Sequence, residues 1–220
     1  GSHREILLPF VPEYIGYANQ SAGAEVFRAG KPLIDLHGAH GFKYRVDFES
    51  LELRDETAAI CVSRPTNPTG NVLTDGEMDR LAAIASRRGI PLIVDGAYGV
   101  PFPSVFFTEA KPIWNEDIVV TMSLSKIGLP GTRTGIVVAH PEIAAAISSA
   151  TAIVGLANPN IGQALMQPLL ASGRILDLCR DVVRPFYQER SKLAQQWLAE
   201  EMDDSLPYRV HASEGALFLW

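Results

Sequence analysis

Apolar residues along this chain follow two rhythms, short unbroken runs and longer stretches that repeat every three to four positions, and the two alternate. The runs are Ile6-Leu-Leu8, Thr57-Ala-Ala-Ile-Cys-Val62, Pro91-Leu-Ile-Val94, Asp117-Ile-Val-Val-Thr-Met122, Thr134-Gly-Ile-Val-Val-Ala139 and Ala216-Leu-Phe-Leu-Trp220. Runs of this length bounded by turn residues suit strands buried on both faces. Asp75 to Arg88 carries the helical period, with Thr74 as N-cap, Glu77 three residues on and Gly89 as the C-terminal stop. The period returns from Pro141 through about Val154, from about Ile161 to Leu170, and from about Ser172 to Glu201, where Pro185 predicts an interruption or kink. Such alternation predicts an α/β fold, three layers deep (α/β/α), with a mostly parallel sheet. Ser21 to Phe42, with four glycines and a proline, reads as loop.

Composition narrows the class. The 220 residues, 47% hydrophobic, suffice for one large domain or most of one. A net charge of −6 argues against nucleic acid or an anionic membrane as the main partner. No run reaches the ~20 apolar residues of a membrane span. Cys61 and Cys179 do not suggest a disulfide framework, so a reducing cytoplasm is the expected location. The five histidines show no metal-ligand spacing, and no metal is expected. Gly1-Ser2-His3 reads as the scar of a cleaved tag, and the apolar runs at both ends predict an internal piece of a longer protein.

The candidate chemistry sits at strand ends. Ser123-Leu-Ser-Lys126 closes one run and is followed by Gly128-Leu-Pro-Gly131-Thr-Arg133-Thr-Gly135. Two hydroxyls, a glycine loop and a guanidinium around a lysine suit an amine that forms a covalent imine beside a bound phosphate. The plain alternative is a surface lysine after a strand. Asp95 ends another apolar run, where an ionised carboxylate must be solvated, hydrogen-bonded or paired. It reads either as an Asp-Gly turn or as the partner of a protonated ring nitrogen. Tyr98 points its hydroxyl into the same crevice or simply packs. Asn67, between Pro65 and Pro68, is either part of a rigid connection or a fixed amide aimed at a ligand. Parallel strands bring their carboxyl ends to one edge of a sheet, so Asn67, Asp95, Tyr98, Ser123, Ser125, Lys126 and Arg133 can converge there.

The strings Asn67-Pro68-Thr69-Gly70, Asp95-Gly-Ala-Tyr98, Ser123-Leu-Ser-Lys126 and Arg133-Thr-Gly135, in that order and approximate spacing, resemble the fold-type I pyridoxal-phosphate-dependent aminotransferases (class I/II). The resemblance covers nearly the full chain. Within the family, Ser63 to Val72, Ala97 to Pro103 and Leu124 to Gly131 look most like the branch acting on valine and pyruvate. The resemblance implies pyridoxal 5'-phosphate (PLP) as cofactor, with Lys126 as its covalent anchor and as the base that moves a proton from the substrate Cα. It implies that Asp95 keeps the pyridine nitrogen protonated, that Tyr98 and Asn67 hydrogen-bond the phenolate oxygen, and that Ser123, Ser125 and Arg133 bind the phosphate. Tyr14 falls where relatives stack an aromatic ring on the cofactor, with Tyr17 as a rival. It further implies a homodimer, an upstream phosphate loop that Ser21-Ala-Gly-Ala24 does not fill, and a substrate-binding arginine beyond residue 220.

Residues 4–170 are then the bulk of a PLP-binding large domain, and 171–220 a long helix with the start of a small domain. The expected reaction transfers an amino group between an aliphatic amino acid, valine or alanine, and a 2-oxo acid such as pyruvate. The 220-residue chain alone is expected to be nearly inactive. Lyases and decarboxylases share the fold and motifs, and an aminotransferase-like sensor domain of a transcription regulator is a further alternative. A nucleotide-binding domain is disfavoured, since neither of the glycine-rich phosphate motifs is present.

Overall fold

The structure is a computed structural model that describes residues 4–20 and 26–220. The tag-scar expectation for residues 1–3 and the exclusion of Ser21-Ala-Gly-Ala24 as a phosphate loop lie outside the described residues. Six strands form the central sheet: β1 (Glu5–Leu8), β2 (Phe27–Ala29), β5 (Thr57–Ser63), β6 (Leu92–Asp95), β7 (Ile118–Ser123) and β8 (Gly135–Val138). Their order is β2-β1-β5-β6-β7-β8, and all pair in parallel except β8, which runs antiparallel to β7. A second sheet has the order β3-β4-β9, from β3 (Pro32–His37), β4 (Gly41–Val46) and β9 (Val210–His211). The helices are α1 (Asp75–Arg88), α2 (Pro141–Gly155), α3 (Ile161–Ala171), α4 (Arg174–Leu178) and α5 (Arg184–Glu201).

Strand alternation divides the apolar residues between two faces. Leu7, Ile60, Val62, Leu92, Val94, Ile118 and Val120 join Met78, Leu81 and Ala85 of α1 and Met166 of α3 in the main core. Ile6, Leu8, Cys61 and Ile93 pack with Tyr17 and Phe27 on the opposite face. Helix α1 keeps its expected bounds because its stops are local. Thr74 Oγ1 accepts from Glu77 N while Glu77 accepts from Thr74 N, and Gly89 adopts a left-handed φ of +63°.

Three expectations are corrected. In the stretch expected to be loop, Ser21 to Phe42, most of the described residues belong to strands: β2, and the β3–β4 hairpin in which Leu33 pairs with Arg45 and Ile34 with Tyr44. Gly38 turns the hairpin at φ +59°. Ala216–Trp220 is not a strand, since Ala216 has a φ of +60° and only Gly215 makes a β-bridge, to Phe106. The expected long helix over 172–201 is divided into α4, a π-helical turn at Cys179–Val183, and α5. The interruption expected at Pro185 is present as the π-helical turn that ends two residues before it, the place where a proline's missing N–H disturbs a continuing helix.

Candidate active site

The same alternation that fills the core aims polar groups at one place. On β5, β6 and β7 the even-numbered residues enter the main core, so Ser63, Asp95 and Thr121 face the other side, and they are register partners. Asp95 is held there by three donors. Tyr17 donates its hydroxyl to Oδ2 at 2.9 Å, while Ala97 N and Thr121 Oγ1 lie 3.0 and 3.5 Å from Oδ1.

Three loops leave these strand ends. After β5, the buried Arg64 ties the connection to α1 by donating Nε to Leu73 O and Nη2 to Asp75, each within 2.8 Å. Asn67 sits in the turn closed by Gly70 N to Thr66 O and Thr66 N to Asn71 O. After β6, Gly96 N bonds Thr121 O at 2.8 Å, and a Cβ on Gly99 would lie 2.7 Å from Arg64 O, so only glycine lets the turn fold onto the neighbouring loop. The turn delivers Tyr98, which is buried against Phe218 in an edge-on contact of 5.8 Å. After β7, Ser123 Oγ accepts from Ser125 N at 3.2 Å and caps a 3-10 turn over Leu124–Ile127 that Gly128 ends at φ +98°. Lys126 Nζ lies 5.2 Å from the centroid of the Tyr98 ring. Arg133 takes a left-handed φ of +48°, unusual for a residue with a side chain, and donates Nη1 to Pro130 O at 3.2 Å.

Tyr14, Asn67, Asp95, Tyr98, Ser123, Ser125, Lys126 and Arg133 all line one cavity of about 290 Å³. The two tyrosines considered for stacking separate in the structure. Tyr14 is 39% exposed at the cavity, whereas Tyr17 is 6% exposed, bonded to Asp95 and stacked on Phe27. An amine, a carboxylate and a set of hydroxyl and guanidinium donors can together hold a compact anion that also carries a basic ring nitrogen and an electrophilic carbon.

Sequence reasoning missed four polar groups here. Ser63 lines the cavity, and Thr121 lies beside Asp95; the alternation of their strands carried that signal. Cys61 lies beneath them, its thiol pushed up to about 12 by burial and the nearby Glu13 and Asp95. Glu13 reaches from its loop to Ser63, where Oε1 accepts Ser63 N at 2.9 Å and Oε2 accepts Ser63 Oγ. Burial pushes its carboxyl up to about 7, with the Asp95 charge adding to the rise. Nothing in its local sequence distinguishes it from a loop carboxylate.

A larger cavity of about 470 Å³ lies between β4, β9 and α5. Its walls are mainly apolar and aromatic, and no lysine or arginine lines it.

A profile of the family described as aminotransferase class I and II matches residues 20–220. The chain is 46% identical to the valine–pyruvate aminotransferase of Escherichia coli (strain K12), over all of this chain and 52% of that protein. A solved structure of valine-pyruvate aminotransferase from Salmonella typhimurium LT2 superposes with a TM-score of 0.91 at 43% identity, over 99% of this chain and 54% of that one. The histidinol-phosphate aminotransferase of Aquifex aeolicus (strain VF5) is 28% identical over 74% of this chain and 46% of that protein. The chain spans about half the length of these relatives.

Proposed function

The chain belongs to the aminotransferase class I and II family, and on that premise we propose that the whole protein moves an amino group between an aliphatic amino acid, valine or alanine, and a 2-oxo acid such as pyruvate. The observation that carries this reading is the meeting of Lys126, Asp95, Asn67, Tyr98, Ser123, Ser125 and Arg133 around one cavity. The choice of substrates rests on the 46% identity to the E. coli enzyme.

The donor set fits PLP. Arg133 and the Ser123 and Ser125 hydroxyls would form an anion site for its phosphate, and Asp95 would accept from its protonated ring nitrogen. Asn67 and Tyr98 donate to its phenolate oxygen, and Tyr14 supplies an aromatic face. When bound, the group provides an electron sink for the carbon from which a proton leaves. The protein's part is positioning and proton transfer. Lys126 Nζ would anchor the cofactor, and as a neutral amine it would hold and move the proton at the substrate Cα. Asp95, pinned by Tyr17, Ala97 N and Thr121, keeps its charge in one orientation with no rearrangement during turnover.

We also place the whole protein in the cytoplasm as a homodimer. In support, Cys61 and Cys179 are both free and buried, and Ile153, Val154 and Leu156 expose apolar surface that an interface could cover. Among the described residues no helix is long and apolar enough to cross a membrane. The test is borohydride reduction of the PLP-loaded whole protein followed by peptide mapping, with valine-dependent formation of alanine from pyruvate measured alongside. Reduced cofactor on Lys126 and alanine production are expected. Label on another lysine, or on none, overturns the site, and absence of alanine overturns the substrates.

A further inference from the structure

Glu13 has no part in the proposed reaction, yet its carboxylate at the cavity's edge accepts from three donors, as many as Asp95 does. It spans two separate pieces of chain. Oε1 accepts Ser63 N at 2.9 Å, and Oε2 accepts both Ser63 Oγ and, at 3.3 Å, Tyr14 N. Ser63 is the last residue of β5, in register with Asp95, and lines the cavity. Tyr14 lines it from the opposite piece of chain and is otherwise exposed.

The Tyr14 ring is 39% exposed and lies over Gly16, where an added Cβ would come within 2.4 Å of it. Its described aromatic neighbour is Tyr17, edge-on at 5.5 Å, whose own hydroxyl is committed to Asp95. The backbone of Tyr14 is held from two sides, its carbonyl accepting Tyr17 N at 3.0 Å and its N–H donating to the Glu13 carboxylate that bridges to the sheet. Keeping a carboxylate there is costly. The groups facing it are Asp95 on β6, Tyr17 on its own loop and Cys61 on β5, and none of them is a cation. A glutamine, of the same length, would satisfy Ser63 N without that cost. Only a carboxylate offers two acceptor oxygens that can serve three donors at once.

We propose that Glu13 is a positioning residue that clamps the Tyr14 loop to the end of β5 and so sets the Tyr14 ring against the cofactor. The proposal rests on the reading of the cavity as a PLP site only for the identity of what the ring faces; the clamp itself does not depend on it.

Two arms test it separately. In the absence of cofactor, amide hydrogen exchange of the whole protein reads the two backbone donors directly. Relative to wild type at the same pH, Glu13→Ala is expected to speed exchange of both Tyr14 N–H and Ser63 N–H about tenfold. Glu13→Gln, whose amide oxygen can still accept from Ser63, is expected to speed Tyr14 alone. Unchanged exchange at Tyr14 in Glu13→Ala overturns the clamp, whatever the cavity binds.

In the second arm, PLP dissociation constants are measured for wild type, Glu13→Ala, Glu13→Gln, Tyr14→Ala and the Glu13→Ala/Tyr14→Ala double variant. Each single change is expected to weaken binding about tenfold, and the double variant to be no weaker than Tyr14→Ala, since one acts through the other. Additive losses overturn the proposal. The weakening in Glu13→Gln is also expected to fade below pH 7, where wild-type Glu13 takes up a proton and gives up an acceptor. A ratio of constants that does not change with pH overturns it too. If borohydride labelling at Lys126 fails while the exchange arm succeeds, the PLP reading falls and the clamp stands.

Discussion

Lys43 and Lys126 both sit within the fold, and they are used in opposite ways. Lys43 is 4% exposed and spends its ammonium on Val72 O at 2.9 Å, Asn71 Oδ1 at 3.3 Å and the carboxylate of Glu214. That same carboxylate accepts Val72 N, and Asn71 also meets His211, which stacks on Tyr44. The cluster welds the β3-β4-β9 sheet to the loop between β5 and α1. Lys126 is half-buried, and its amine makes no hydrogen bond to any described residue; it faces a cavity and the Tyr98 ring. A lysine whose donors are all filled is a structural cation, while one left open beside a cavity is free to react. Burial lowers the Lys43 pKa against the pull of Glu214, so a shifted pKa alone would have pointed to the wrong lysine.

Substituting each lysine breaks a different property. Lys126→Ala in the whole protein should lower kcat for valine and pyruvate about a thousandfold or more, with thermal unfolding unchanged within a few degrees. Steady-state kinetics and calorimetry check both halves. Lys43→Met should instead cost about 3–5 kcal/mol of stability by stranding the Glu214 charge. Adding Glu214→Gln should recover most of that loss, as read from urea unfolding of the three variants. If the double variant is no more stable than Lys43→Met, Lys43 stabilises by packing and not by pairing.

The asymmetry between the lysines also explains what the sequence could show. Lys126 stands among Ser123, Ser125, Gly128 and Arg133, so its surroundings are written within a few residues, and Asp95 and Asn67 mark strand ends in the same local way. Helix α1 was equally legible because Thr74, Glu77 and Gly89 stop it locally. Lys43 has nothing beside it to distinguish it. Its acid partner is 171 positions away and the Val72–Glu214 bond spans 142, distances at which only the folded chain reveals the pairing. The β3–β4 hairpin was hidden for a related reason: Leu33, Ile34 and Leu36 remain exposed, so the strand lacks the buried apolar run that marked β5 and β7. Ala216–Trp220 erred the other way, since Ala216 and Phe218 pack against Tyr98 while Leu217, Leu219 and Trp220 stay exposed, and none of them enters a ladder.

Titration offers a milder probe of the same contrast. Burial lowers His211 in the structural cluster to about 4, so its neutral ring is favoured by folding. The lowered value means that its contribution is complete above pH 6.5 and is lost as pH falls from 6.5 through 4. A shift from 6.5 to about 4 corresponds to about 3 kcal/mol. Urea unfolding between pH 7 and 4 should show a decline that is smaller by up to this amount in His211→Asn. An equal decline in both proteins would remove His211 from the acid response.

Glu13 carries the opposite sign, and it separates the cavity from the core most finely. Its carboxyl is raised from 4.5 to about 7, so the folded protein prefers it neutral. That preference favours folding below pH 4.5 and is lost as pH rises toward 7, leaving a charge beside Asp95 that the fold tolerates at a cost. Glu13→Gln removes the charge and should raise the melting temperature at pH 8 by about 2–4 °C, the shift expected of ~1 kcal/mol in a chain of this size. At pH 4.5 the two proteins should melt together. Higher stability with looser cofactor binding in the same variant would mean that this carboxylate is kept for the site against the interest of the fold. A lower melting temperature at pH 8 would place Glu13 with Lys43 and Glu214, among the groups that hold the structure together.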